Sequence, residues 1–307
     1  MRTIILIAIF QALILSAIFI ISPIYASLGK PPSSTEPIAE RPSSDDSNPP
    51  ILATNPTSAD ATLDYSRTAQ NTPTNITFLE DIEQQVLILT NVERRKRKLR
   101  VLQHDATLQI AARAHSADML DRDFFDHTSP EGRTSFDRIA IIHRTLIGTT
   151  CENLWQSKGK GYDISDTKKL AKIAVDSLMN SPGHRENILR KDYSHLGVGA
   201  AIKDGTVKIT QNFASIQARF QQPLPLEITK GDNLSLATIP GLRKSSPVKY
   251  GFWLSDKGVL AADPLPMNQT QVAIEPGDYR LRFYFISSRK RTSVNYTIYN
   301  GPQIIVK

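Results

Sequence analysis

Cysteine is almost absent from the chain, which contains a single one, Cys151, among its 307 residues. One cysteine excludes an intramolecular disulfide, so the folded parts must be stabilised by their hydrophobic cores. No cysteine lies directly after the apolar N-terminal run either, which excludes a lipid anchor on a cysteine at that place.

Charge is scarce at the N-terminus, where the first 26 residues carry only Arg2. The apolar run that follows is typical of an export segment, and Ala26 provides a small residue for cleavage. The run is also long enough to cross a bilayer. We therefore expect an exported protein, secreted or associated with the cell envelope. Residues 1–26 are then removed as a signal peptide or, in the less favoured alternative, residues 4–26 remain as a membrane tether.

Large apolar residues are few between residues 27 and 77, which are instead rich in Pro, Ser, Thr, Asn and Asp. A segment of this composition cannot bury enough apolar surface to offset the conformational entropy lost on ordering. The composition predicts a disordered linker over residues 27–77 that would hold the folded region away from a membrane or translocation site.

Acidic residues are outnumbered, and the formal net charge is +7. Residues 219–307 hold 12 basic and 6 acidic residues, which favours anionic envelope polymers or membranes as partners. Nucleic acid is not expected as a partner of an exported chain. The basic run at residues 94–98 ends a predicted helix, where the helix dipole favours cations. We therefore interpret the run as a solvated helix end rather than as an anion-binding patch.

Helical periodicity marks several stretches before residue 190. Apolar residues recur at helical spacing after Leu79, after Asp105, which is a suitable N-cap, and between Thr167 and Met179. Ser181 followed by Pro182 predicts the start of a further short helix.

Strand patterns follow the helices. Residues 196–202 and 207–213 alternate around Asp204-Gly205, which predicts a β-hairpin and an α+β layered domain. From residue 219 the pattern changes to short strands separated by Pro, Gly and Asp, which predicts a smaller all-β, sandwich-like domain over residues 219–307.

Three segments place titratable residues in a tight apolar or Pro/Gly context: residues 124–133, 151–154 and 181–189. In this order, and followed by His195-Leu196-Gly197-Val198-Gly199 and Thr210-Gln211-Asn212-Phe213, they resemble the CAP superfamily, whose SCP domain occurs in cysteine-rich secretory, antigen 5 and pathogenesis-related proteins. The resemblance is greatest to the bacterial branch without disulfides, and the predicted domain spans residues 78–218.

The resemblance implies an α-β-α sandwich with a surface cleft of histidines and acidic residues. Matched by motif, the cleft residues are His127, Glu152 and His184. His115, on the apolar face of the second predicted helix, and His195, just before the first hairpin strand, are second candidates for the cleft.

Two imidazoles and a carboxylate from separate loops are a ligand set that suits a divalent metal such as zinc or magnesium. With an open coordination position such a site could activate water. Family members are mostly regarded as binding or signalling modules, so we expect a binding module in which residues 219–307 attach an envelope polymer, lipid or protein. The alternatives are a metal-assisted, peptidase-like hydrolase and a structural extracellular protein.

The sequence departs from the family pattern at three points. Cys151 replaces a glycine usual before Glu152, Leu178 replaces a tryptophan, and no residue matches the second cleft glutamate of eukaryotic members. We interpret Cys151 as a small packing residue rather than as a nucleophile paired with a histidine. Arg133 and Arg138 are expected to form structural ion pairs with Asp126 or Asp137, which the sequence places nearby.

Overall fold

The computed structural model describes residues 58–71, 73–157, 165–254 and 257–307. The predicted export segment and most of the predicted linker lie outside these residues. Within the described part, no helix combines the length and the apolar character that a membrane crossing requires.

The described residues contain six helices and twelve strands. The helices are α1 (Ser58–Thr68), α2 (Glu80–Lys96), α3 (Ala106–Asp121), α4 (Ser135–Ile142), α5 (Thr167–Asn180) and α6 (Pro182–Leu189). The strands up to residue 220 are β1 (Thr77–Phe78), β2 (Gln103–His104), β3 (Leu146–Gln156), β4 (His195–Lys203) and β5 (Thr206–Phe220). The later strands are β6 (Glu227–Ile228), β7 (Thr238–Pro240), β8 (Lys249–Leu254), β9 (Val259–Leu260), β10 (Leu265–Pro266), β11 (Gly277–Arg289) and β12 (Val294–Val306).

Helices cover both faces of the sheet formed by β1-β4-β5-β3. Alternate residues of β4 face opposite layers. Gly197 and Gly199 lie against the backbone of α3, whereas Leu196 and Val198 join a core with residues of α2, α5 and α6. The arrangement is an α-β-α sandwich, which confirms the predicted α+β class.

Local sequence signals explain where several elements begin. The Asp105 carboxylate accepts hydrogen bonds from the N–H groups of Thr107 and Leu108 at 3.0 and 2.9 Å, which confirms the predicted cap of α3. Helix α6 begins at Pro182 as predicted, although the Ser181 side chain makes no capping hydrogen bond.

The predicted hairpin is confirmed as β4 and β5. Asp204 and Gly205 form its turn with φ of 49° and 77°. Two central residues with positive φ match the twist of the flanking strands, which is why an Asp-Gly pair is favoured there.

The C-terminal region is all β, with its own core around Phe283 and Leu281. It differs in detail from the predicted strands. The sequence pattern predicts two separate strands at residues 294–299 and 304–306, but the structure has one continuous strand there, β12. The pattern also predicts a strand at residues 272–274, where the structure has only an isolated bridge between Gln271 and Asn233.

The C-terminal strands continue the sheet of the sandwich. Asn300 of β12 pairs with Gly148 of β3, and Ile147 of β3 packs into the C-terminal core. A domain boundary between residues 218 and 219 stays a prediction from the change in sequence pattern.

The prediction of a disordered linker over residues 27–77 needs correction at its end, where α1 is a helix. Arg133 donates to the carbonyl oxygen of Ala61 at 2.7 Å, and its guanidinium lies 4.9 Å from the ring centre of Tyr65. Thr62 donates to Asp278 at 2.8 Å. These contacts are distant in sequence, so composition alone could not indicate that they order the segment.

Gly199 is required by the close approach of α3 to the sheet. A Cβ atom there would lie 2.2 Å from the backbone nitrogen of Arg113. We expect Gly199→Ala to lower the free energy of unfolding by about 1–3 kcal/mol or more, because backbone must move to make room. Urea unfolding measures the change. Gly183→Ala is the control, since no heavy atom lies within 4 Å of its Cβ position; equal stability of the two variants would contradict the prediction.

Candidate functional site

A histidine and a carboxylate meet where the loop after α3 passes β3. Nδ1 of His127 lies 2.9 Å from Oε1 of Glu152. The Glu152 side chain is 1% exposed and that of His127 is 54% exposed. Since Nδ1–H donates to the carboxylate, Nε2 is left without a protein partner among the described residues. An accessible imidazole is thus held in place by a buried carboxylate.

Two further donors hold the Glu152 carboxylate. Nη2 of Arg138, in α4, donates to Oε2 at 2.8 Å. Asn212 lies directly opposite Glu152 in the pairing of β3 with β5. With its amide nitrogen toward Glu152, Asn212 donates to Oε2 at 3.3 Å and accepts from the N–H of Ala112 at 3.1 Å. Side chains from a loop, a helix and the sheet therefore converge on one buried charge.

Helix α4 places Arg138 against the site. A capping box between Thr134 and Asp137 fixes the first turn of the helix, and the next residue is Arg138. Arg138 also donates through Nη1 to the carbonyl oxygen of His127 at 3.1 Å. The same guanidinium therefore positions both the backbone of His127 and the carboxylate that orients its ring.

The predicted partners of two arginines are wrong. Arg138 pairs with Glu152, while Arg133 faces Glu131 at 3.6 Å. Asp137 pairs instead with Arg280 of β11 at 2.5 Å. The prediction followed proximity in sequence, which holds for Arg133 and Glu131, whereas the pairs of Arg138 and Asp137 join residues that only the tertiary structure brings together.

The pKa values of the central pair shift apart. Burial opposes ionisation of Glu152, but the hydrogen bond from His127 and the charge of Arg138 outweigh it and lower its pKa. The hydrogen bond to Glu152 raises the pKa of His127 against the opposing effect of burial. The pair thus favours a carboxylate beside an imidazolium.

His115 lies beneath this pair and is fully buried. Its Nε2 donates to the carbonyl oxygen of Asp126 at 3.0 Å and lies 4.0 Å from Oε1 of Glu152. Burial, together with the charge of Arg138, lowers its pKa to about 4, so the ring is neutral near pH 7. Its Nδ1 is buried and has no hydrogen-bond partner among the residues that the structure describes. His115 supports the site from inside and is not accessible to a ligand.

His184 approaches the site from α6. Asn153, the residue after Glu152, donates to the carbonyl oxygen of His184 at 3.1 Å and accepts from Asn187 at 2.9 Å. Burial and the charge of His127 lower the pKa of His184. The two imidazoles are therefore electrostatically coupled, but among the described residues no hydrogen bond or ion pair joins the His184 ring to His127 or Glu152.

His195 belongs to a different cluster. Its Nδ1 lies 2.8 Å from the Ser194 hydroxyl, and burial with the charge of Arg219 lowers its pKa. Arg219 pairs with Asp105 at 2.5 Å, and Asp105 also faces His143 at 3.3 Å. The structure thus brings His127, Glu152 and His115 together, places His184 nearby, and leaves His195 apart from them.

Cys151 faces the opposite side of β3 from Glu152. It is half-buried and packs against the core between the sheet and α2, α5 and α6. Tyr193 belongs to the same core, and among the described residues no hydrogen bond joins the Cys151 sulfur to a histidine. This placement agrees with a packing role.

Comparison with known proteins identifies the family to which this part of the chain is similar. Residues 87–213 match the family model CAP, described as the cysteine-rich secretory protein family. Residues 87–213 form a CAP domain. The match includes every residue that contacts the Glu152 carboxylate.

Similar proteins come from Bacillus. The chain is 36% identical over 155 residues to the uncharacterized protein YkwD of Bacillus subtilis, covering 50% of this chain and 54% of YkwD. It is 36% identical over 131 residues to the uncharacterized membrane protein YlbC of the same organism, covering 43% of this chain and 34% of YlbC. An extracellular SCP-domain protein of Bacillus anthracis is 31% identical with a TM-score of 0.36, covering 43% of this chain and 40% of that one. The chain thus spans about half of one curated relative and a third of the other.

Glu152 is poorly suited to bind a metal directly. One carboxylate oxygen accepts from His127 and the other from Arg138, which already balances the charge. Among the described residues, no group of three or more His, Cys, Asp or Glu side chains is arranged to hold a metal ion. A histidine that ligates a metal usually donates its other ring N–H to a carboxylate, which fixes the orientation of the ring. Glu152 stands in this position relative to His127.

Sequence reasoning missed Arg138 and Asn212 as partners of Glu152. A signal for Asn212 exists, because it lies in Thr210-Gln211-Asn212-Phe213, one of the segments that carry the resemblance to the CAP superfamily. Arg138 had no comparable signal, since an arginine after a capping box is ordinary in a surface helix.

The first prediction for this site concerns protonation. NMR titration should give His127 a pKa above 6.5 in the wild type and a lower one in Glu152→Gln, because the amide is uncharged. A raised imidazole pKa stabilises the fold below pH 6.5, and this contribution is lost as the pH rises through the folded value. The lowered pKa of Glu152 stabilises the fold above pH 4.5, and this contribution is lost as the pH falls through the folded value. The pair therefore contributes most between those values.

The internal control for this titration is His195, whose charged neighbours do not include Glu152. Its titration should be the same in both proteins. An unchanged His127 pKa in Glu152→Gln would refute the assigned interaction.

The second prediction concerns the buried ion pair. Arg138→Met should lower the free energy of unfolding by about 3–5 kcal/mol, because it leaves the Glu152 charge buried with one cation fewer. Adding Glu152→Gln should recover part of the loss. Urea unfolding measures both variants. The control is Arg122→Met, which breaks surface pairs with Asp118 and Glu131, whose side chains are 25% and 42% exposed, and should cost about 1 kcal/mol or less per pair; equal losses in the two arginine variants would contradict the prediction.

Proposed function

We propose that this protein is an exported binding module whose CAP cleft contacts its ligand through the imidazole of His127. The observation that carries the proposal is the pairing of an exposed histidine ring with a fully buried carboxylate. A solvated histidine on a surface needs no buried carboxylate behind it. A histidine that contacts a ligand binds more tightly when its ring orientation is fixed before binding. His184 is the second contact at the rim of the cleft.

Binding has more support than hydrolysis. A general base acting near neutral pH needs a pKa close to the operating pH. Glu152 has a lowered pKa and is occupied by His127 and Arg138, so it is a weak base that cannot easily reach a substrate. The same exposed imidazole also favours a binding role over a purely structural extracellular one.

A divalent cation is the ligand class that the two imidazoles fit best. His127 would bind it through Nε2, with His184 as the second ligand and Glu152 behind His127 as the orienting carboxylate. Zinc suits imidazole nitrogen better than magnesium does. A bound cation would supply positive charge and open coordination positions for a further ligand.

Export and attachment complete the proposal. An extracellular protein and a membrane protein are among the similar proteins, which supports export of this chain. We propose residues 219–307 as the region that attaches the CAP domain to an envelope polymer, lipid or protein partner.

Calorimetric titration of the full chain with Zn²⁺ tests the cleft. We expect binding at pH 7.5 that is lost in His127→Ala and in His184→Ala and retained in His104→Ala, which removes an exposed histidine outside the cleft. Binding should weaken as the pH falls, since a protonated imidazole cannot ligate a metal. Zinc binding that is absent in the wild type, or equal in all three variants, would remove the cleft from the proposal. Turnover of casein or cell-wall fragments by the zinc-loaded protein would favour the hydrolase.

A further inference from the structure

A second concave surface lies where the end of α2 and the segment after α6 meet the C-terminal strands. It is a cavity of about 770 Å³ with six cationic side chains in its lining: Arg97, Lys98, Arg100, Arg190, Lys191 and Arg243. The acidic lining residue is Asp192. We propose that this cavity binds a linear polymer of phosphate groups, separately from the histidine cleft.

Most of these cations have no acidic partner. Arg97 pairs with Glu93, and Arg190 pairs with Asp192. Within the described part of the chain no ion pair includes the other four cations of the cavity, namely Lys98, Arg100, Lys191 and Arg243. Like charges gathered without counter-charge repel one another, so this surface gains energy when an anion enters it.

Capping of helix ends does not explain the excess of cations. Backbone carbonyl groups after α2 and at the end of α6 are already satisfied by Arg94, which is fully buried. Arg94 donates to the carbonyl oxygens of Arg100 at 2.7 Å, of Ile188 at 2.7 Å and of Arg190 at 2.9 Å. Arg97 also donates to the carbonyl oxygen of Glu93, near the end of α2, at 3.0 Å. Among the described residues, the side chains of Lys98, Arg100 and Lys191 donate to no backbone carbonyl, so these three cations are additional to what the helix ends need. The basic run, interpreted from sequence as a solvated helix end, contributes two residues to this cavity.

Both halves of the described fold build the cavity. Its floor includes Ser215 and Gln217 of β5, which are buried and hydrogen-bonded to each other at 2.7 Å. On the C-terminal side, Arg243 lies over the ring of Tyr299 at 5.6 Å and reaches Thr297 at 3.4 Å. A polar floor with a cationic rim suits an oxyanion, and guanidinium groups match phosphate oxygens in pairs.

The chemistry favours a phosphate polymer over nucleic acid. Sequence-tolerant binding of single strands relies on aromatic rings on which bases stack. The aromatic ring that lines the cavity, Tyr299, is covered by Arg243. An open rim with several exposed cations also suits a chain of phosphates better than one small anion. The proposal extends the attachment role proposed above for residues 219–307, which contribute Arg243, to cations of the CAP domain, and it does not depend on the histidine cleft.

Binding of fluorescently labelled long-chain inorganic polyphosphate to the full chain tests the proposal. Lys98→Gln/Arg100→Gln/Lys191→Gln should weaken binding about tenfold or more. The slope of log affinity against log salt should fall in magnitude by about 2, since each phosphate neutralised on a single-stranded polyanion contributes about 0.7. Arg243→Gln should weaken binding as well, because this residue comes from the C-terminal region.

The matched control is Lys168→Gln/Lys169→Gln/Lys290→Gln, which removes the same charge at exposed positions outside the cavity. It should bind nearly as the wild type does, and so should His127→Ala, which separates this proposal from the cleft. Circular dichroism confirms that each variant is folded. Equal weakening by both triple variants would show that only net charge matters and overturn the site. Equally tight binding of inorganic phosphate, or of single-stranded DNA of the same charge, would overturn the assigned ligand.

Discussion

The buried carboxylate of Glu152 is the constraint on which the cleft depends. An ionised group away from water is costly unless hydrogen bonds and an opposite charge compensate it. Here compensation comes from His127 in a loop, Arg138 in α4 and Asn212 in β5. Because each donor lies on a different element, the loop, the helix and the sheet must all be in place for the charge to be tolerated. The geometry of the cleft is therefore coupled to the folding of the CAP domain.

A second buried carboxylate applies the same physics at the other end of α3. Asp105 caps the helix and receives Arg219 from β5 and His143 from the end of α4. Its pKa is strongly lowered, because the hydrogen bonds and charge of these partners outweigh its burial. Helix α3 is thus tied to the sheet at its start by Asp105 and at its centre by the close approach of Gly199. This fixed helix is the support beneath the cleft.

The sequence predicted the features that depend on interactions between residues close together in the chain. Asp105 as a cap, Asp204-Gly205 as a turn and the periodic helices were predictable because each depends on neighbours in the chain. Strand β3, which bears Glu152, was not predicted, since it is covered on both faces and lacks alternation. Helix α1 was missed because contacts from Arg133 and other distant residues order it. The pairing of Asn300 with Gly148 likewise depends on tertiary structure alone.

The site around Glu152 and the cationic cavity differ in how their charge is compensated. At Glu152 the protein supplies its own cations and donors, so the network is satisfied before any ligand arrives, and its effect is to present one imidazole. Around Lys98 and Lys191 the protein supplies more cations than acids, so the remaining positive charge has to be neutralised from outside. Arg94 illustrates the difference within one region, since its guanidinium donates to backbone carbonyls, whereas the side chain of Lys98 donates to none among the described residues. Charge that the fold does not itself compensate marks where an ionic partner gains most from binding.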